Sequence, residues 1–231
     1  VYIREKAIET IGKFGQNASN LVPFLLNYLQ DTNNSIRLIS AKTIGKISKL
    51  NVSIVISFIR ALENSDLEVR KEISSQLDSI SVIPIEWKNE LVPMLESDSK
   101  FIRYQVVNLF GKMGKEAASV AKFLIKLAPK SDDDMKQNIR NSLQKIGSMP
   151  LSDAKECLTD NSPLIRMEMV RFLAERPESK EYSPEIHHLW NEIIPILQEI
   201  DPQIILYAKR ALERMKSPLN EDLPKIREDI L

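Results

Sequence analysis

Apolar and polar residues along this chain alternate with a helical spacing, and that spacing itself repeats. Starting at Ile3, apolar or small residues fall 4, 8 and 11 places later, at Ala7, Ile11 and Phe14. The same offsets from Ile102 give Val106, Phe110 and Met113, and from Met135 they give Ile139, Leu143 and Ile146. At about 100° per residue, these positions share one helix face about 80° wide. The leading aliphatics Ile3, Ile36, Val69, Ile102 and Met135 are each 33 residues apart (36 − 3 = 33, and so on). Ile165 follows after 30 and Ile204 after 39, so the chain carries seven copies of one amphipathic helix. A helix with one apolar face cannot bury it alone, whereas stacked copies can.

A second set of apolar segments lies between the copies. They run over 21–29, 54–62, 87–95, 120–127, 151–158 and 186–200, with a further stub at 223–231. The joints are rich in Asp, Asn, Ser and Pro, as in Asp31-Thr32-Asn33-Asn34 and Asp160-Asn161-Ser162-Pro163. Those side chains satisfy orphan amide donors where the next helix starts, and Pro163 and Pro202 suit first-turn positions. The run 79–85 alternates like a strand, but it contains Pro84 and falls at a joint, so it reads as a helix end and loop. The pattern therefore predicts an all-α chain of paired helices, a single array over 1–231.

Charge narrows the functional classes. Thirty-two basic residues balance 32 acidic ones, which weighs against a dedicated nucleic-acid binder. A single cysteine, Cys157, excludes an internal disulfide and points to a reducing, cytoplasmic setting. No apolar run has the length of a membrane span. Val1 falls within a helical pattern, so the chain reads as part of a longer one.

The joints carry a family signature. An acidic residue is followed, five and six places later, by an aliphatic and an arginine: Asp31, Ile36, Arg37 and Asp160, Ile165, Arg166. Asn64, Val69, Arg70 and Ser97, Ile102, Arg103 repeat the spacing with a weaker acceptor, while Lys136 and Ile205 replace the arginine in the fifth and seventh copies. This resembles the HEAT-repeat family, and the Ile-Gly-Lys endings resemble its short bacterial-type members, also seen in phycobilisome lyases. The resemblance implies a right-handed α-solenoid of antiparallel helix pairs. It also implies that Arg4, Arg37, Arg70, Arg103 and Arg166 form a structural ladder with turn acids such as Asp31 and Asp160. Finally, it implies a concave surface lined by the second helix of each pair.

Candidate chemistry is sparse. His187 and His188 are adjacent and diverge by about 100°, unsuited to shared metal ligation. Cys157 sits on an apolar face and reads as a buried thiol. Gly111-Lys112-Met113-Gly114-Lys115 ends a helix and lacks phosphate-loop spacing, so its glycines read as packing and capping positions. Asp132-Asp133-Asp134 reads as a solvated turn, and Trp87 and Trp190 as packing residues of the first helices. No catalytic residue, metal or cofactor is assigned.

Opposite the apolar stripe, positions 2 and 6 of each copy face away from the core. Leu38, Lys42, Lys71, Tyr104, Asn108, Asn141, Met167 and Arg171 are the candidate partner contacts, mixing apolar, aromatic and charged groups as interfaces do. Position 10 reads Lys13, Lys46, Ser79, Lys112, Lys145, Glu175, Arg214, a basic row that also suits helix C-terminal dipoles. The expected function is a non-catalytic scaffold for a protein partner. The alternatives are nucleic-acid binding along the lysine row and, from the subfamily resemblance alone, a bilin lyase-like activity.

Overall fold

The computed structural model describes residues 1–63, 65–175 and 189–215. Thirteen α-helices occur among them, and no strand. In chain order they are α1 (Tyr2–Lys13), α2 (Val22–Tyr28), α3 (Asn34–Ile47), α4 (Val52–Ala61), α5 (Leu67–Asp78), α6 (Lys88–Leu91) and α7 (Lys100–Met113). They continue as α8 (Ala121–Leu127), α9 (Asp133–Ile146), α10 (Leu151–Leu158), α11 (Pro163–Ala174), α12 (Trp190–Ile193) and α13 (Pro202–Arg214). Odd-numbered helices are the seven predicted copies. Even-numbered ones are the intervening first helices of each pair. The chain is an all-α solenoid built of these pairs, and it divides into two compact units, Val1–Leu109 and Phe110–Leu231.

In the first unit, α1 packs on α3 and α3 on α5, while α2 lies against α3 and α4 against α5 and α6. The stripe of α3 (Ile36, Ser40, Ile44, Ile47) is buried, as are Val69, Ile73 and Leu77 of α5. Opposite them, α4 supplies Ile54, Val55, Phe58 and Ile59. Phe58 is fully buried, so its truncation costs about 3–5 kcal/mol. In the second unit α11 packs on α13 and α9, and α10 packs on α8, α11 and α12. Met135, Ile139, Leu143 and Ile146 form the stripe of α9, all buried.

The first copy departs from the expected pattern. Ile3 is 82% exposed and Phe14 62%, while Ile8 is the buried residue of α1. Among the described residues, α1 has its main helix partner on the α3 side. Ile8 faces that side: its carbonyl accepts from Thr43 Oγ1 at 3.4 Å. The stripe of Ile3 and Phe14 has no such cover.

The first helices are also less regular than the sequence pattern suggests. Residues Gly15–Leu21 and Gly114–Val120 form 3₁₀ turns ahead of α2 and α8. The 87–95 segment breaks into a 3₁₀ turn, the one-turn α6, and a second 3₁₀ turn over Val92–Glu96. Proline lies in the first two positions of α2 and of the 3₁₀ segments at 92–96, 128–130 and 194–198. Pro removes a backbone donor, so each of these prolines interrupts the i→i−4 bonding with the segment before it. The strand-like run at 79–85 is irregular after α5 ends at Asp78, as its proline foretold. The stub at 223–231 and the start of the 186–200 segment lie outside the described residues.

Joint residues cap as their chemistry predicts. Asn33 accepts from the amides of Ser35 and Ile36, Asn51 from Ile54, Asp66 from Val69, Asp132 from Met135 and Asp201 from Gln203. Gly147 closes α9 in the left-handed conformation, with φ 63°. Glycines also set the stacking distance. A Cβ on Gly111 would lie 3.1 Å from the Cα of Ser142, so α9 approaches that point at backbone range.

Candidate functional site

The residues opposite the apolar stripe fall in both units. In the first, Lys42 on α3 and Lys71 on α5 are exposed, Leu38 and Asn108 are half-buried, and Tyr104 is 41% exposed. In the second, Asn141 is exposed and accepts from Gln137 Nε2 at 2.9 Å, and Met167 is half-buried. Arg171 differs: its residue exposure is only 9%. Its guanidinium is drawn inward by Glu168 and stacks 4.4 Å from the Tyr207 ring of α13.

That cluster escapes a reading of single positions. Glu168 is 4% exposed, and its Oε1 accepts from Arg140 on α9 at 3.0 Å and from Arg171 at 3.2 Å. The Nε of each arginine is buried and meets no acceptor. Glu175 Oε1 lies 4.0 Å from Arg171 Nε, and Arg210 sits 5.9 Å from the Tyr207 ring. A shallow cleft with room for about one water molecule opens here, lined by Arg140, Leu143, Gln144, Glu168, Arg171, Phe172 and Glu175. A signal for it exists in the repeat. Position 5 of one copy meets position 3 of the next, as in Gln105 donating to Ser74 Oγ at 2.6 Å. Position 5 reads Ile8, Ala41, Ser74 and Val107 before turning to Arg140, while position 3 of the following copy becomes Glu168. Complementary charges at paired positions of adjacent copies mark the contact.

The arginines of the joints reach back to their own turns. Arg37 NH1 donates to the Asp31 carbonyl at 2.7 Å, and Arg70 donates to the carbonyls of Leu62 and Glu63 at 2.8 and 3.2 Å. Arg103 donates to the carbonyls of Ser97 and Asp98. Arg166 donates to the Asp160 carbonyl at 2.6 Å and to Glu199 Oε1 at 2.5 Å. Arg4 pairs with the Asp31 carboxylate at 2.5 Å. The Asn33 amide, then Arg4, hold that carboxyl below its usual range. Arg70 also stacks 3.6 Å from the Phe101 ring. The fork of a guanidinium suits such multi-carbonyl bonding.

Other candidates fall into structural settings. Cys157 is buried, and desolvation pushes its thiol up to about 11. Lys122 and Lys126 of α8 bridge to Asp153 and Glu156 of α10 at 2.6–3.0 Å. Those bonds raise both lysines and lower Glu156. In the basic row, Lys13, Lys46 and Lys145 are exposed, whereas Lys112 is half-buried. Arg214, at the same position, donates to the Ala174 carbonyl. Trp87 is half-buried; His187, His188 and the side chain of Trp190 lie outside the described residues. Among the described residues, no group of three or more His, Cys, Asp or Glu is placed to hold a metal, and no helix is long and apolar enough to cross a membrane.

Comparison with known proteins bears on the fold. Residues 21–50, spanning α2 and α3, match the HEAT repeat family model. Similar solved structures include an engineered protein, 20% identical over 84% of this chain and 96% of its own, with a TM-score of 0.41. The archaeal HEAT-like repeats protein from Thermococcus onnurineus NA1 is 15% identical over 90% of this chain and 92% of its own, with a TM-score of 0.40. A designed armadillo repeat protein in complex with the peptide (KR)4 is 14% identical over 91% of each chain, with a TM-score of 0.36. No curated protein matches the chain.

Proposed function

We propose that this HEAT-repeat chain is a non-catalytic scaffold that binds a protein partner on the outward face of its second helices. The array reading over 1–231 rests on the 33-residue step, which continues through α7. The observation that supports the function is the composition of that face. Lys42 and Lys71 stand exposed on stacked α3 and α5, with Tyr104 on α7 partly exposed in the same unit. Exposed aromatic groups beside charges are frequent interface anchors, and helices present them on a backbone that is already ordered.

The test is affinity capture with the intact chain followed by identification of what is retained. A single protein partner should be recovered reproducibly. Lys42→Glu, Lys71→Glu and Tyr104→Ala should each weaken its measured affinity while leaving helicity unchanged. Recovery of no protein, or full affinity in all three variants, would overturn the reading. Binding to duplex DNA with a steep salt dependence would instead favour the nucleic-acid alternative.

A further inference from the structure

We infer that the uncovered apolar face of α1 and α2 is a self-association site, on which residues 223–231 of a second copy dock as a first helix. In other copies the positions of Ile3 and Phe14 are covered: Ile36, Ile102 and Ile204 are buried, as are Ile47, Met113 and Met215. Ser40, Ile73, Val106, Ile139, Met169 and Ala208 are buried where α1 carries the exposed Ala7. A first helix contributes to this cover, as α2 does for α3 and α10 for α11. Among the described residues no first helix lies on the stripe of α1, and α2 is bare on the adjoining side. The buried pairs Val22/Leu25 and Ala154/Cys157 align α2 with α10, which sets Phe24 level with Glu156. Glu156 accepts from Lys122 and Lys126 of the preceding first helix, α8. Phe24 therefore points to where a first helix ahead of α2 would stand, and it is 66% exposed. Ile3, Ala7 and Phe14 border the same place from α1. A contiguous apolar surface of this kind marks an interaction site.

The repeat itself specifies the occupant. In α2, which lies against α3, the buried residues are Val22, Leu25 and then Leu29 at its end, with Pro23 after the first. Leu223, Ile226 and Ile230 have the same spacing, with Pro224 after the first. The aliphatic-Pro-x-aliphatic opening also occurs at 92–95 and 194–197, both within first-helix segments. Residues 223–231 thus carry the sequence pattern of a first helix, and α1 is a second helix whose stripe lacks one. Pro224 follows Leu223 as Lys122 follows the buried Ala121, with an aliphatic three places after each of Leu223 and Ala121. At the join Pro224 would therefore meet Phe24, an apolar pair in place of the Lys122–Glu156 bridge. The join continues the stacking already present between copies and removes a bare terminal face from water. Its two surfaces lie in different parts of the chain, so the contact is heterologous and adds copies head to tail.

The test is sedimentation equilibrium of the whole chain over a wide concentration series. The mean mass should rise with concentration past that of a dimer. Ile3→Glu, Phe14→Glu and Ile226→Glu should each weaken association about tenfold or more, with circular dichroism unchanged for the two exposed positions of α1. Mixing Ile3→Glu, which keeps the 223–231 segment, with Ile226→Glu, which keeps the α1 face, should restore association but stop it at one-to-one dimers. A fluorescein-labelled peptide of residues 217–231 should bind the Ile226→Glu chain saturably and the Ile3→Glu chain at least tenfold more weakly. This peptide measurement decides the matter even if Ile226→Glu perturbs folding, because wild-type chain at low concentration can take its place. A monomer at every concentration overturns the inference. Association that survives Ile226→Glu overturns it in favour of two α1 faces meeting each other. Failure of the mixture to form dimers, or equal peptide binding by Ile3→Glu, overturns it as well. Lys42→Glu should leave self-association unchanged, so the outcome is independent of the partner face proposed above.

Discussion

At the scale of single residues, contact distance decides what a substitution does. A methyl on Gly111 would meet Ser142 at Oγ 2.7 Å, Cβ 3.0 Å and Cα 3.1 Å, so backbone would have to move. Gly111→Ala should cost about 1–3 kcal/mol from overpacking, partly offset by about 1 kcal/mol of helix propensity. At Gly45 the obstruction is the amide end of Gln76, a flexible group that can swing away. Gly45→Ala should therefore be close to neutral, and thermal denaturation of the pair would show the contrast. Cys157 supplies a second case. Its folded pKa of about 11 lies above the thiol's ordinary 9.0, because burial disfavours the thiolate. The unfolded chain then releases its proton first, so this group's stabilising contribution is complete below pH 9 and is lost as pH rises towards 11. Cys157→Ala should flatten that part of a stability–pH curve. In the native wild type, Cys157 should react with a thiol reagent only on unfolding.

At the scale of elements, caps and joints carry separable energies. Asp132 accepts the Met135 amide at 2.9 Å, so Asp132→Ala should destabilise by about 1 kcal/mol. Ser162, at the start of α11, makes no side-chain cap bond, and Ser162→Ala should change stability by only a few tenths. Denaturant titration of both variants checks the difference. Arg70→Ala loses two carbonyl bonds and the stack on Phe101, so its melting temperature should fall, and Arg70→Lys should not restore it. An unchanged melting temperature would mean that these bonds exchange freely with water. The second helices were legible in advance because their apolar stripe repeats at a fixed step and their caps sit at fixed offsets. The first helices were legible only as apolar segments. Their breakdown into 3₁₀ pieces depends on where Pro23, Pro93, Pro129 and Pro195 meet the neighbouring helix, which periodicity does not encode.

At the scale of the molecule, a repeat scheme specifies what is common to the copies and leaves unspecified what distinguishes them. Lys42 and Lys71 face solvent where the helical wheel put them. Arg171 has the wheel position of Lys42 but is buried, because Glu168 three residues before it and the Tyr207 ring of α13 hold its guanidinium. The Arg140–Glu168–Arg171 cluster therefore arises where adjacent copies break the pattern together, at paired positions of neighbouring helices. Uneven helix length has a consequence of the same kind. In the first unit, α3 runs for 14 residues with seven of them buried, whereas 85–96 is held by turns of three, four and five residues. Repeat proteins open by local units, and short 3₁₀ turns have poorer hydrogen-bond geometry. Native-state hydrogen exchange should thus show amides of 85–96 exchanging well before those in the interior of α3. Equal protection in the two segments would instead mean that the whole unit opens as one, with the 85–96 turns held as firmly as the long helices.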